Sequence, residues 1–269
     1  MSATGHNTPL VTRRDEGAVA ILTLNRPAAR NSLSRGMLAA LQAMLDTVAA
    51  DTGIRAVVLA AEGAVFSAGH DLKEISAHRA DADGGAAFFA ECMAACGEVM
   101  KAVVDLPQPV VAAVQGIATA AGCQLAASCD MVVASSAAKF CTPGVDIGLF
   151  CSTPGVALAR AVPRKFAMEM LLLGEMVPAE EAQRMGLVNR VVAPEAVLPT
   201  ALDIAQRIAA HSAVAVQLGK RGFNAQATQP LAEAYASAGA VMVENLLARD
   251  AAEGIGAFLG KRKPEWQHR

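Results

Sequence analysis

Val110–Ala127 reads VVAAVQGIATAAGCQLAA and is the longest apolar run in the chain. Gln115, Thr119 and Gln124 interrupt it, and Gly116 and Gly122 lie within it. A membrane-spanning helix needs about 20 consecutive, mostly apolar residues, so the run is read as two elements in sequence. Val110 to Val114 is a buried strand, and Ala121 to Ala127 is a helix. Small residues between them form a strand-to-helix turn, and that order of elements is the signature of an α/β architecture.

The same scheme extends in both directions. Upstream, Phe88 to Val104 has helical spacing and ends at the break Leu106-Pro107-Gln108-Pro109; downstream, Met131 to Ala134 is a strand. Nearer the N-terminus, Ala18 to Leu24 is a strand that runs into the turn Asn25-Arg26-Pro27. Ser34 then caps an amphipathic helix through about Ala50, with Met37, Leu38, Leu41, Met44, Leu45 and Val48 on one stripe. Arg55 to Ala60 is a short buried strand. Strands alternating with helices imply crossover connections. From about Arg164 the pattern is nearly all helical, over 167–173, 179–185, 195–211, 213–224, 231–247 and 251–259, with only 188–192 reading as a strand. These observations divide the chain into a flexible N-terminus (residues 1–10), an α/β core (11–200) and a helical C-terminal region (201–269).

Hydrophobic residues make up 54% of the 269 residues and charged residues 18%, which excludes a disordered chain. That much apolar surface exceeds what one subunit buries, and the Ala-rich C-terminal third is the expected subunit interface. A formal net charge of −2 gives no reason to expect nucleic acid or an anionic membrane as a partner. Residues 1–9 carry neither an apolar h-region nor an Arg-rich amphipathic pattern, from which a cytoplasmic location is expected. The six cysteines form no CxxC pair and have no His at zinc-like spacing, so they read as buried thiols, and no metal is expected. Neither a P-loop nor a dinucleotide-binding glycine fingerprint occurs, and Val65-Phe66-Ser67-Ala68-Gly69 falls one glycine short of a nucleophile elbow.

Two turns carry the chemistry. Phe66-Ser67-Ala68-Gly69-His70-Asp71-Leu72-Lys73-Glu74 follows a strand and opens a helix at about Asp71, with Asp71 and Glu74 at capping-box spacing. Gly116 to Gln124 follows the strand at Val110 to Val114 and opens the next helix. The first N–H groups of a helix lack internal partners and sit at its positive end, where they suit an anion or a developing oxyanion. Either turn alone is equally consistent with close packing.

Together the two turns, at their spacing, resemble the crotonase (enoyl-CoA hydratase/isomerase) superfamily. The resemblance runs from Val11 almost to the C-terminus. It includes Leu24-Asn25-Arg26-Pro27, Ser67–Glu74, Pro107–Ala112, Cys129-Asp130, Ala167–Met170, Gly186-Leu187-Val188 and Ala257–Pro264. It implies a spiral of ββα units with a helical trimerisation region, assembled as a homo-trimer or a dimer of trimers. It also implies an acyl-CoA thioester as ligand, with no cofactor beyond the coenzyme A of the substrate. By the same resemblance the backbone N–H groups of His70 and Ala121 form an oxyanion hole. Ala68, His70 and Leu72 line the coenzyme path, and Lys73 and Lys261 are candidates for its phosphates, although solvated lysines are the commoner case.

The family pattern breaks where its hydratases carry two glutamates. The matching positions are Gln124 and Gly144. An amide does not titrate in the working range and glycine has no side chain, so neither is a general acid or base. Asp146, two residues beyond Gly144, is a candidate substitute if the segment is extended. The expectation is an acyl-CoA enzyme of the hydratase/isomerase type with weak or absent hydratase activity; the alternative is an oligomeric acyl-CoA-binding protein without chemistry of its own.

Overall fold

A computed structural model describes residues 8–269. The first seven residues of the expected flexible N-terminus lie outside that range. Pro9 and Leu10 are tied down by Asn25, whose Nδ2 donates to the Pro9 carbonyl (3.0 Å) and whose backbone N–H donates to Leu10 (2.7 Å).

The chain opens with an antiparallel hairpin, β1 (Val11–Glu16) and β2 (Val19–Leu24), turning at Gly17. Helix α1 (Arg35–Ala49) follows, capped by Ser34, whose Oγ accepts the Met37 N–H at 3.2 Å. Then come β3 (Ala56–Ala61), β4 (Val65–Ser67), α2 (Leu72–Ala77) and α3 (Ala86–Asp105). The next unit is β5 (Val110–Val114), β6 (Ile117–Thr119) and α4 (Ala121–Ser128). A third is β7 (Met131–Ser135), β8 (Lys139–Cys141) and α5 (Ser152–Ala161). After these lie α6 (Arg164–Leu173), β9 (Val177–Pro178), α7 (Ala179–Met185), β10 (Arg190–Val192), α8 (Val197–Ala209), α9 (Ala213–Gln226), α10 (Leu231–Leu247) and α11 (Arg249–Leu259).

The strands sort into a six-stranded sheet, β1-β2-β3-β5-β7-β10, and a four-stranded sheet, β4-β6-β8-β9. Successive units send one strand to each sheet and then a helix, so both sheets advance in step (β3, β5, β7 and β4, β6, β8). That is a spiral of ββα units. From β2 onward the large sheet is parallel, and parallel strands need cover on both faces. One face packs on α1, α3 and the small sheet, the other on Val197, Ala201, Ile204 and Ala205 of α8. This is why β5 is buried at every residue and reads as an unbroken apolar run.

The structure departs from the sequence reading at the short elements. β1 (VTRRDE) is an edge strand whose polar residues face solvent, so its sequence carries no apolar alternation. β6 separates β5 from α4, two elements read as directly joined by a turn. α5 begins Ser-Thr-Pro-Gly, and the sequence reading placed no helix there, although Pro in the first turn of a helix is tolerated. Residue 200 falls inside α8, which packs on the large sheet, whereas α9 to α11 extend beyond it. Lys220 of α9 ties that extension to the core: its Nζ pairs with Asp130 Oδ2 (2.7 Å), which also accepts the Val110 N–H (2.7 Å). α10 buries none of its residues, leaving Leu231, Tyr235 and Leu247 at 75%, 74% and 83% exposure.

Candidate functional site

The first turn leaves β4 at Ser67 and enters α2 at Leu72. Gly69 holds it with φ +79°, a left-handed value at which a side chain is strained. The segment 26–34 clamps it from outside. Ala68 N–H donates to the Arg30 carbonyl (3.0 Å), Ser67 Oγ donates to the Asn31 carbonyl (2.9 Å), and Leu33 N–H donates to the Gly69 carbonyl (2.7 Å). Buried Asn31 spans the gap, donating from Nδ2 to the Glu62 and Val65 carbonyls at 2.9 and 2.8 Å. Sequence reading took Asn25-Arg26-Pro27 only as a turn and missed this clamp. Its available signal was an Asn among small residues, since Asn tolerates the left-handed φ of 51° found at Asn31.

Asp71 is the cap of α2: its Oδ1 accepts the N–H groups of Lys73 (3.1 Å) and Glu74 (3.4 Å). Its Oδ2 pairs with Arg26 Nη1 at 2.8 Å and accepts Ser32 Oγ at 3.3 Å. Partial burial pushes this carboxyl up, but the Arg26 hydrogen bond and the two N–H donors outweigh it, so the group lies below its ordinary value. The capping box is only half formed, because the Glu74 carboxylate accepts the Arg35 N–H instead (3.0 Å).

The second turn leaves β6 at Thr119 and enters α4 at Ala121. Between them Ala120 sits at φ 50°, ψ −119°, a strained conformation for a residue with a Cβ that costs about 1–3 kcal/mol. It is held by its N–H bond to the Cys141 carbonyl (2.9 Å) and by the Gln124 N–H on its own carbonyl (3.0 Å). Two glycines let the turns touch. A Cβ at Gly122 would lie 2.3 Å from the Ser67 carbonyl oxygen, and one at Gly69 would lie 2.9 Å from Ala120 Cβ and 3.1 Å from the Ala121 nitrogen. Among the described residues neither the His70 N–H nor the Ala121 N–H has an acceptor. The fold therefore sets two unengaged backbone donors on two turns in van der Waals contact.

The side chains around them are mostly inert. The His70 ring is partly buried, with Nδ1 3.6 Å from Cys92 Sγ of α3 and Nε2 buried without a partner among the described residues. Burial lowers its pKa below the ordinary 6.5, against smaller opposing effects of the Leu33 carbonyl and Glu74, so the ring is neutral at pH 7. Gln124 is 4% exposed. Gly144 lies on a short 3-10 turn, Pro143–Ile147, where a Cβ would meet Cys151 Sγ at 2.9 Å and the Leu149 carbonyl at 3.0 Å. The neighbouring loop thus fills the space a side chain would need. Burial pushes the Cys141 and Cys151 thiols up, so both read as packed thiols.

One expectation is corrected here. Asp146 is not on an extended segment: on the 3-10 turn, residues two apart diverge, and Asp146 is exposed to solvent. It does not replace a glutamate at Gly144. Lys261 follows the end of α11, which packs on α9 and α10, and Lys73 is exposed on α2; neither ammonium forms an ion pair among the described residues. Ala68 is half-buried next to the first turn, and Leu72 is 53% exposed. A groove of about 660 Å³ between α1, α2 and α3, lined by Arg35, Glu74, His78 and Phe88, includes none of His70, Ala121 or Gln124. Among the described residues no group of three His, Cys, Asp or Glu side chains is arranged to hold a metal, and no helix is long and apolar enough to cross a membrane.

Known proteins share this architecture. The human enoyl-CoA hydratase domain-containing protein 3, mitochondrial, is 49% identical over 248 residues, 92% of this chain and 80% of its own length. It is also the protein that Thr142–Val145 and Gly148–Arg160 resemble. The crystal structure of an enoyl-CoA hydratase from Mycobacterium smegmatis superposes with a TM-score of 0.91 at 50% identity, covering 96% of this chain and 99% of that one. The 2,3-dehydroadipyl-CoA hydratase of Escherichia coli is 35% identical over 252 residues, 93% of this chain and 96% of its own length. The human relative's name places that protein in the mitochondrion. The family model for enoyl-CoA hydratase/isomerase matches residues 14–269, and the chain belongs to that family, the crotonase superfamily.

Proposed function

We propose that this chain binds an acyl-CoA thioester and polarises its carbonyl between the backbone N–H groups of His70 and Ala121. The observation that carries this reading is the pair of unengaged donors on two touching turns, one of them at the N-terminus of α4. Drawing thioester charge onto the carbonyl oxygen acidifies the α-carbon and stabilises an enolate-like state. Each such donor is typically worth about 2.7–4 kcal/mol in a transition state. Because the donors are main chain, the side chains at Ala121, Gln124 and Gly144 do not decide whether they are present.

Proton transfer is a separate matter. Gln124 does not titrate, Gly144 is packed against Cys151, and the His70 Nδ1 faces Cys92 rather than a free space. Hydration in the two-glutamate manner has no acid or base here, and hydratase activity is weak or absent. Ala68, His70 and Leu72 flank the coenzyme path, with Lys73 at its exposed end and Lys261 offered from the C-terminal region, which is the expected homo-trimer or dimer-of-trimers interface. The bare apolar residues of α10 support that assembly. The alternative, an acyl-CoA-binding protein without chemistry, is favoured by the same two positions.

Calorimetry with acyl-CoA, paired with turnover assays on enoyl, 3-enoyl, malonyl-type and β-hydroxyacyl thioesters, tests the reading. Binding with little or no hydration of crotonyl-CoA is expected. Efficient hydration overturns the acid/base argument, and a failure of every coenzyme A thioester to bind overturns the proposal. Turnover of another thioester establishes an enzyme; a blank panel with binding establishes the alternative.

A further inference from the structure

Glycine would suit the backbone at residue 120 better than alanine does. Its φ of 50° and ψ of −119° are those of the first central position of a type II′ turn, a place dominated by glycine. The other non-glycine residues at positive φ among the described residues are Arg30, Asn31, Lys261 and His268, all with polar side chains. Ala120 carries only a methyl, which brings no hydrogen bond to hold the conformation. Strain of this kind persists only where the surrounding structure over-determines it.

Two hydrogen bonds fix the peptide planes on either side of Ala120. Its N–H donates to the Cys141 carbonyl at the end of β8 (2.9 Å), so the plane before it follows the strand ladder. Its carbonyl accepts the Gln124 N–H (3.0 Å), so the plane after it follows the axis of α4. In a trans peptide the N–H and C=O point opposite ways, which turns the Ala121 N–H out of the helix at its N-terminal end. The mirror-image conformation, in the ordinary β region, would rotate both planes and break both bonds. Glycine meets this backbone demand without strain, so the methyl is the part left to explain.

The methyl has a place of its own. A β-carbon at Gly69 would lie 2.9 Å from Ala120 Cβ, 3.0 Å from the Thr119 carbonyl oxygen and 3.1 Å from the Ala121 nitrogen. The Ala120 methyl therefore stands against Gly69, the residue immediately before the His70 N–H. Resting on the thioester reading above, we propose that Ala120 is a positioning residue, whose methyl is the spacer that keeps the His70 and Ala121 N–H groups converging on one thioester oxygen. With glycine there, the peptide directions survive, but the first turn settles toward the second and the donors no longer share one acceptor position.

The absorption of 2,4-hexadienoyl-CoA tests this, because polarising its carbonyl moves the conjugated chain's band to longer wavelength. Titrated with the intact chain, the thioester is expected to show that red shift at saturation. Ala120→Gly loses most of the shift, while its melting temperature stays within about 2–4 °C of the unaltered protein, because relief of strain offsets the lost methyl contacts. Ala120→Ser, which keeps the β-carbon, keeps the shift. A full shift in Ala120→Gly overturns the inference and leaves the thioester reading standing. A larger fall in melting temperature also overturns it, since the methyl would then be ordinary packing, and so does a shift lost in Ala120→Ser. If the unaltered protein binds no thioester, or binds it with no red shift, the thioester reading itself fails.

Discussion

The paired turns at 67–71 and 119–124 and the turn at 143–151 each hold a glycine in a tight place, and they use it in opposite ways. At Gly69 and Gly122 the missing side chain lets two backbones meet, and the N–H groups of His70 and Ala121 have no acceptor among the described residues. At Gly144 the missing side chain is backfilled by Cys151 and the Leu149 carbonyl. One half of the candidate site is therefore main chain, fixed by the fold. The other half, at Gly144, is packed by the neighbouring loop. A site built of backbone donors persists through side-chain replacement, whereas a site built of carboxylates is lost with the carboxylates.

The most damaging way to break this comparison is Gly122→Ala. Its Cβ would sit 2.3 Å from the Ser67 carbonyl, so the two turns must separate. A loss of roughly 1–3 kcal/mol in urea unfolding is expected from overpacking, together with loss of acyl-CoA binding by calorimetry. Unchanged affinity would show that the contact between the turns does not hold the proposed donors.

Gly144→Ala asks whether the other half is closed as tightly. The added Cβ meets Cys151 Sγ and a backbone oxygen near 3 Å, and an unfolding penalty of about 1 kcal/mol is expected. Cys151→Ala in the same chain relieves part of it, a coupling read from the double-mutant cycle. For the same reason Gln124→Glu with Gly144→Glu does not install hydration of crotonyl-CoA; rapid turnover by that variant would sink the steric argument.

The smallest effect is a pH slope. Burial holds the His70 pKa below 6.5, so just under that pH the unfolded chain binds more protons than the folded one. The stabilisation is full above 6.5 and is lost as pH falls below it. His70→Gln should flatten the dependence of melting temperature on pH in that interval. An unchanged slope would mean the ring is solvated rather than wedged beside Cys92.

The long elements were legible because their periodicity is strong. α1 with its Ser34 cap, β5 and α10 stand where apolar spacing and cap chemistry put them. β4, β6 and β8, each three residues long, are too short to carry a period, and β1 is an edge strand whose charges hide it. Asp71 was legible as a helix cap because capping is local. The Arg26–Asp71 pair and the Asn31 clamp were not, since they join residues far apart in sequence whose proximity depends on how β2 and β4 are laid side by side.

By itself the sequence determined the α/β alternation, the family, the two turns and the absence of carboxylates at Gln124 and Gly144, because all of these reside in local pattern and residue identity. Tertiary structure alone decided that the turns touch, that Asp146 faces solvent, that Cys151 occupies the space beside Gly144 and that the Gln124 amide is buried with no anchor among the described residues. Those are distances between segments, and no local propensity encodes them.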